Sequence, residues 1–220
     1  MTKTNHLNVD LASHSIQGLK EVNEDAVGFF IPKEELSLES KGIVLAVADG
    51  VSSAEAGKEA SDTAITRFID DYYQTPDTWS VKHAGQKILS SINLTLFKRS
   101  HEFKNEEKGY LTTFTALVLK SRICHFFHAG DSRAFLLRDG ELKQLTRDHT
   151  ATIASGRSFL ARAMGMDNSI QIDYGQFTLE TNDILLVTSD GVHDFINTEQ
   201  LQQLIAEQSS CQQRIEQLIS

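Results

Sequence analysis

Cysteine, proline and tryptophan are all scarce in this chain of 220 residues, which contains two, two and one of them. The two cysteines, Cys124 and Cys211, are too few for a disulfide framework or for a zinc site built from several thiolates. Because Pro32 and Pro76 are the only prolines, no proline-rich linker marks a domain boundary. We therefore expect a single domain over residues 1–220.

Long apolar runs and excess positive charge are also missing. No apolar run approaches the roughly 20 residues of a membrane span, and the N-terminus lacks the apolar core of a secretion signal. The formal net charge of −9 disfavours a general surface for nucleic acid or for anionic membranes. We expect a cytoplasmic protein that binds neither nucleic acid nor membrane.

What the chain does have is a set of apolar strands that each end in an acidic turn. Residues 43–48 form a run rich in valine and alanine, typical of a strand buried on both faces, and it leads directly into Asp49 and Gly50. Two later strands end in the same way, at Asp190 and at Asp131. Asp-Gly pairs are common in ordinary turns, but turn chemistry does not require them to follow such apolar runs. Carboxylates gathered at strand ends suit hard cations such as magnesium or manganese.

A further acidic pair, Glu24 and Asp25, precedes the strand predicted at residues 26–31. Since side chains alternate along a strand, one of the two carboxylates can face inward while its neighbour points away. The alternative is an exposed acidic turn without a functional role.

The order of the predicted elements favours an α+β fold. Apolar spacing predicts two long helices in succession, over residues 54–73 and 78–103. Residues 34–41 are expected to form a hairpin connection, and residues 151–158 a surface loop. Strands are expected at 7–15, 26–31, 43–48, 112–119, 123–128, 133–137, 141–145, 170–179 and 183–190. Short helices are expected at 199–206, capped by Asn197 or Thr198, and at 212–219. This order is typical of helices that flank a two-sheet core.

Six ordered sequence blocks between Ser15 and Ile205 resemble the metal-dependent protein serine/threonine phosphatases, protein phosphatase type 2C. The short segment between His149 and Phe159 is similar to bacterial members that are fused to a protein kinase domain. The resemblance implies an α-β-β-α sandwich of two mainly antiparallel sheets flanked by helix pairs, with a metal centre at one end. The blocks are 23–25 (Asn-Glu-Asp), 48–51 (Ala-Asp-Gly-Val), 112–116 (Thr-Thr-Phe-Thr-Ala), 130–134 (Gly-Asp-Ser-Arg-Ala), 145–149 (Leu-Thr-Arg-Asp-His) and 189–192 (Ser-Asp-Gly-Val).

The resemblance also implies a centre of two manganese or magnesium ions. Asp49 would bridge both ions, and the carbonyl of Gly50 would bind one of them. Asp190 would be a ligand of the first ion and Glu24 a ligand of the second. Asp131 matches a position that helps to hold a third, weaker metal in bacterial relatives.

Three other positions concern the water and the substrate. Asp25 would orient a metal-bound water, and Lys20 stands where the family usually has the arginine that grips the substrate phosphate. Lysine supplies a point charge without the bidentate fork of arginine, so phosphate affinity is expected to be lower. Val51 replaces the histidine of animal members, which leaves protonation of the leaving group to water or metal.

The C-terminal end departs from the family pattern. The family closes with an Asp-Asn pair and a strand, whereas this chain stops at Ser220 in a predicted helix, and its only Asp-Asn pair lies upstream at residues 167–168. We therefore expect a domain truncated at its C-terminus, with an uncovered sheet edge and a more weakly held first metal.

Two functions remain open. The first is a phosphatase that acts on phosphoserine and phosphothreonine in proteins, with a cognate serine/threonine kinase as a further partner and a monomeric state. The second is a catalytically weak or inactive phosphatase-like domain that binds phosphoproteins or partner chains, which the missing terminal ligand and Lys20 favour. A calcium buffer is disfavoured because no twelve-residue ligand loop is present. Among the histidines, His193 is the best candidate for a place near the centre.

Overall fold

The computed structural model describes residues 8–18, 20–51, 56–102, 109–152, 158–207 and 209–219. The strands are β1 (Asp25–Phe30), β2 (Ile43–Asp49), β3 (Phe114–Lys120), β4 (Ile123–Ala129), β5 (Arg133–Arg138), β6 (Glu141–Gln144), β7 (Thr150–Thr152), β8 (Ser158–Leu160), β9 (Asp173–Thr178) and β10 (Ile184–Thr188). The helices are α1 (Glu35–Ser40), α2 (Gly57–Gln74), α3 (Val81–Glu102), α4 (Asp190–His193), α5 (Thr198–Ala206) and α6 (Cys211–Leu218).

The larger sheet has five antiparallel strands in the order β1-β2-β3-β4-β9. The side chains of its strands point alternately into two apolar layers, because successive side chains of a strand point to opposite faces. Phe114, Ala116 and Val118 of β3 face the layer under α2 and α3, while Leu117 and Leu119 face the second sheet. The two long helices therefore cover one face of this sheet, as their apolar spacing predicts.

The second sheet has three antiparallel strands in the order β10-β5-β6. Its inner face meets the larger sheet, and its outer face packs against α5 through Phe135, Leu137, Leu201 and Ile205. Asn197 caps α5 by accepting from the backbone N–H of Gln200, at one of the two positions predicted for the cap. The layers are helix, sheet, sheet and helix, which confirms the predicted α-β-β-α sandwich.

Three sequence-based predictions of local structure are wrong. Residues 8–15 of the predicted first strand contain no strand, and Val9 instead packs against the apolar layer between the sheets. Residues 34–41 contain the short helix α1 rather than a hairpin connection; its Leu36 is exposed, and its Leu38 packs against the apolar layer between the sheets. The predicted surface loop at 151–158 contains parts of β7 and β8, which pair as a small hairpin, and residues 153–157 between them lie outside the described part.

The uncovered sheet edge stays a prediction, and among the described residues the smaller sheet has β10 and β6 as its two edge strands. Among the described residues β10 pairs with β5 on one side only. A cavity of about 1060 Å³ lies beside it between the two sheets, lined by Leu45, Val47, Leu185 and Val187 among others. Within the described ranges, no helix is both long and apolar enough to cross a membrane.

Candidate active site

The sandwich brings three carboxyl groups from distant parts of the chain to one end of the sheets. Asp25 begins β1 and stands opposite Asp49, the last residue of β2, in the antiparallel register of the two strands. Asp190 begins α4, two residues after the end of β10. Asp25 and Asp190 are both close enough to Asp49 for their carboxyl groups to influence its ionisation.

The electrostatics of Asp49 reflect this crowding. Burial is the largest cause that raises the pKa of its carboxyl group, followed by the negative charges of Asp25 and Asp190, and together they bring it to about 9. Asp49 is only 7% exposed, so water screens these like charges poorly. A neighbouring cation would therefore strongly favour the ionised form of the Asp49 carboxyl group.

Asp25 is tied to the segment that carries Asp190. The hydroxyl of Ser189 donates to Asp25 Oδ2 at 2.6 Å, although the two residues are 164 positions apart in the chain. This bond links the first strand of the larger sheet to the exit of β10 in the smaller sheet. It therefore connects the two sheets at the acidic end of the sandwich.

The main chain of Asp49 is fixed by two threonines that precede β3. Its carbonyl accepts from the hydroxyl of Thr112 at 2.9 Å and from the backbone N–H of Thr113 at 2.8 Å. Its own N–H donates to Thr113 Oγ1 at 2.9 Å. Because both threonines are buried, the end of β2 is held in one position.

Glycine at residues 50 and 57 allows the main chain after β2 to touch the start of α2. A Cβ atom on Gly50 would lie 2.3 Å from the carbonyl oxygen of Gly57, and a Cβ on Gly57 would lie 2.9 Å from Glu24 Oε1. The carbonyl of Glu24 also accepts from the N–H of Gly50 at 3.2 Å and from the Ser61 hydroxyl at 2.6 Å. Glu24 therefore lies beside Gly50 at the N-terminus of α2.

Asp131 lies in the turn between β4 and β5, close to Asp190. Burial raises the pKa of its carboxyl group to about 6, and the negative charges of Asp190, Asp148 and Asp194 add to the effect. Behind this turn, Arg133 makes a bidentate ion pair with Asp148 at distances of 2.6–3.1 Å. The surroundings of Asp131 are thus acidic, and the positive charge of the nearby Arg133 is already paired with Asp148.

Two other predicted residues, His193 and Lys20, differ in their burial: His193 is half-buried and Lys20 is exposed. His193 lies at the end of α4, where its Nδ1 atom is 3.1 Å from the Thr188 hydroxyl, and burial is the main cause that lowers its pKa. Lys20 lies in the exposed loop before β1, where its carbonyl accepts from the Gln17 side chain at 2.6 Å.

The family relationship follows from comparison with known proteins. The sequence profile described as protein phosphatase 2C matches residues 12–217 of this chain. The chain belongs to the protein phosphatase 2C family. The predicted family and enzyme class, a protein phosphatase and hence a hydrolase that acts on phosphoproteins, are thereby confirmed.

Bacterial relatives cover most of this phosphatase. The serine/threonine phosphatase stp of Listeria monocytogenes is 25% identical in an alignment 225 residues long that covers 92% of this chain and 84% of the relative. The protein phosphatase PhpP of Streptococcus pneumoniae is 24% identical over 218 residues, which cover 90% and 84% of the two chains. The crystal structure of the serine/threonine phosphatase Stp1 from Staphylococcus aureus superposes with a TM-score of 0.82 at 21% identity, covering 97% of this chain and 91% of that one. The fold is therefore that of the bacterial phosphatases.

The family is metal-dependent, and the donor atoms at the acidic end fit a hard divalent cation. Carboxylate and carbonyl oxygens are the ligands that magnesium and manganese prefer. In the described ranges, no group of three or more His, Cys, Asp or Glu side chains is already arranged to hold an ion. The fit lies in the chemistry of the donors and in the burial and negative neighbours that oppose the ionisation of Asp49, which a cation would offset.

Several residues that shape the site were not singled out from the sequence. Thr113 and Ser132 occur in the quoted blocks without an assigned role, and Ser189 precedes Asp190 in another. Serine and threonine beside an acidic turn are common, so residue type alone carries little information. Only their position next to three separate acidic strand ends could have indicated that they hold the site together.

Proposed function

We propose that this phosphatase hydrolyses phosphoserine and phosphothreonine in proteins with the help of two manganese or magnesium ions. The observation that carries the proposal is the convergence of Asp25, Asp49 and Asp190, which crowds three carboxyl groups around one buried strand end. Hydrolases that transfer phosphoryl groups to water use such carboxylates to hold divalent cations.

The proposed ligands are those implied by the family. Asp49 would be shared by the two ions, Asp190 would help to hold one of them, and Glu24 and the carbonyl of Gly50 would help to hold the other. The proximity of Glu24 Oε1 to Gly57, and of Gly57 to Gly50, supports the pairing of Glu24 and Gly50 on the same ion. Asp131 is proposed as a ligand of a weaker third ion, which its proximity to Asp190 supports.

Bound divalent ions supply a water of lowered pKa and polarise the phosphoryl oxygens. Asp25, held by the Ser189 hydroxyl, would orient the attacking water by accepting its hydrogen bond. Lys20 would attract the substrate phosphate as a point charge. Val51 offers no acidic proton, so the leaving group would take its proton from solvent.

The test is phosphate release from a phosphothreonine peptide with added MnCl₂, in the wild type and in Asp49→Asn. We expect the variant to lose at least a hundredfold in rate, because its amide cannot bridge two cations. The matched control is Asp70→Asn on the exposed side of α2, which should retain the wild-type rate. Equal rates for wild type and Asp49→Asn would contradict the proposed centre.

The alternative, a phosphatase-like binding domain without turnover, is favoured by the absence, within the described residues, of a preformed group of three metal-binding side chains. Calorimetric titration with MnCl₂ separates the two functions. A catalytic centre requires two ions per chain together with phosphate release, whereas a binding domain would bind phosphopeptide without releasing phosphate.

We also propose the following partner, oligomeric state, location and domain organisation for this phosphatase. They are a cognate serine/threonine kinase, a monomeric state, a cytoplasmic location and a single domain over residues 1–220. The acidic net charge of −9 supports a soluble enzyme that is not drawn to nucleic acid. Sedimentation velocity at micromolar concentration tests the monomeric state directly.

A further inference from the structure

Two buried hydroxyl groups connect Asp49 to the turn that carries Asp131. Thr113 Oγ1 accepts from the backbone N–H of Asp49 at 2.9 Å and lies 2.7 Å from the hydroxyl of Ser132. Thr113 is 1% exposed and Ser132 is fully buried. Because both hydroxyls are shielded from water, Ser132 Oγ relies on Thr113, and Thr113 Oγ1 relies on Ser132 and on the N–H of Asp49.

The close approach of the two segments depends on Gly130. This residue has a φ angle of +115°, and a Cβ atom on it would lie 2.6 Å from Thr113 Cβ. A larger residue would push the turn away from the start of β3. Glycine therefore allows Ser132, two residues later, to reach the Thr113 hydroxyl.

The donors and acceptors are matched along this connection. Thr113 Oγ1 accepts from the N–H of Asp49, and in its contact with Ser132 Oγ either hydroxyl can be the donor and the other the acceptor. The carbonyl of Ser132 accepts from the Thr115 hydroxyl at 3.3 Å, which anchors the far side of the turn to β3. Thr115 itself bonds to His128 at 2.9 Å and has no hydrogen bond to Asp49 among those of the described residues.

We propose that Thr113 and Ser132 are positioning residues for the metal centre, because their hydroxyl pair holds the bridging ligand Asp49 in register with the Asp131 turn. The inference rests on the proposed function, since it assumes that Asp49 and Asp131 bind divalent cations. Neither hydroxyl is assigned contact with substrate or ion. Groups that orient metal ligands from behind typically change metal affinity by about 10- to 100-fold when they are removed.

The decisive comparison is Thr113→Val against Thr113→Ser, measured by calorimetric titration of the metal-free chain with MnCl₂. Valine keeps the shape of the side chain and removes the hydroxyl, whereas serine keeps the hydroxyl and removes the methyl group. We expect Thr113→Val and Ser132→Ala to weaken Mn²⁺ binding by about tenfold, and Thr113→Ser to stay within about threefold of the wild type.

Tyr72→Phe is the matched control, because it removes a buried hydroxyl that donates to the carbonyl of Lys41 at 3.0 Å, at the opposite end of β2 from Asp49. We expect its thermal midpoint to fall about as much as that of Thr113→Val, while its Mn²⁺ affinity remains that of the wild type. An equal loss of Mn²⁺ affinity in Tyr72→Phe and Thr113→Val would overturn the proposal, since general loosening would then explain the effect. Unchanged affinity in Thr113→Val would overturn it as well.

Two further outcomes are distinguishable. If Ser132→Ala does not fold, the comparison of the two Thr113 variants still decides the question. If the wild type itself binds no Mn²⁺, the proposed metal centre fails and the positioning role fails with it. If the wild type binds Mn²⁺ and the Thr113→Val and Ser132→Ala variants bind it equally well, the positioning role alone is overturned and the proposed function remains intact.

Discussion

At the scale of single residues, His128 shows how the polar groups behind the acidic centre depend on burial. Its ring is fully buried, with Nδ1 2.9 Å from the Thr115 hydroxyl and Nε2 3.0 Å from the carbonyl of Arg147. Burial is the main cause that lowers its pKa to about 4, and the neighbouring His149 adds to the effect. The folded protein therefore holds this histidine neutral.

This predicts a loss of stability in mild acid. As the pH falls below 6.5, the unfolded chain takes up a proton at residue 128 before the folded chain does, so the contribution of this group is lost progressively down to a pH of about 4. The loss would reach up to about 3 kcal/mol in the free energy of unfolding. Urea titrations of metal-free protein at several pH values between 7 and 4 measure it.

The control for this pH dependence is a pair of variants. His128→Gln should show a flatter pH dependence than the wild type over this range, whereas His83→Gln, at an exposed position of α3, should follow the wild type. Parallel curves for the wild type and His128→Gln would show that other groups cause the acid sensitivity.

At the scale of secondary structure elements, α3 packs closely on the larger sheet at Gly85. A Cβ atom on Gly85 would lie 2.2 Å from the Phe127 ring, which is itself fully buried in β4. The ring occupies the space that a side chain on the helix would need. Glycine in the middle of a helix normally lowers the stability of that helix. The presence of Gly85 is therefore explained by the close packing of α3 on the Phe127 ring and not by helix propensity.

Gly85→Ala therefore sets two effects against each other. Alanine improves the helix by about 1 kcal/mol, but overpacking a rigid core site typically costs about 1–3 kcal/mol. We expect a net destabilisation, seen as a lower midpoint of thermal unfolding. Ser91→Ala, an exposed position of the same helix, should not lower the midpoint, and Phe127→Leu should restore part of the loss in Gly85→Ala. A raised midpoint in Gly85→Ala would contradict the packing argument.

At the scale of the whole molecule, the acidic centre joins the two sheets of the sandwich. Asp25 and Asp49 belong to the larger sheet, whereas Asp190 follows the edge strand β10 of the smaller one. In the absence of a cation, the negative charges of Asp25 and Asp190 oppose the ionisation of Asp49 across this junction. A bound ion would instead hold the sheets together.

We therefore expect Mn²⁺ to slow hydrogen exchange in the segment from β10 to α4 and in β1. At a free metal concentration of 100 times the dissociation constant, the stabilisation would be about 2.7 kcal/mol. Exchange measured by mass spectrometry in MnCl₂ and in EDTA tests this. Asp190→Asn should lose most of the added protection in both segments, and protection that is unchanged by Mn²⁺ in the wild type would argue against a metal junction between the sheets.

The helices and the acidic strand ends could be read from the sequence because each follows from a local pattern. The apolar spacing of α2 and α3 extends over several turns, and the strands that end at Asp49 and Asp190 are almost entirely apolar. The short α1 was missed because six residues with no buried side chain carry no such pattern. The pairing of β7 with β8 was missed because strands of three residues are too short for alternation to be recognised.

The sequence by itself thus determined the type of fold and the carboxylates available at its acidic end, since both are properties of short continuous segments. Only the tertiary structure decided that Ser189 bonds to Asp25 and that the Thr113 hydroxyl meets Ser132. These contacts join residues that are 164 and 19 positions apart. They depend on strand register and on the close approach at Gly130, and neither of these is contained in the spacing of residues along the chain.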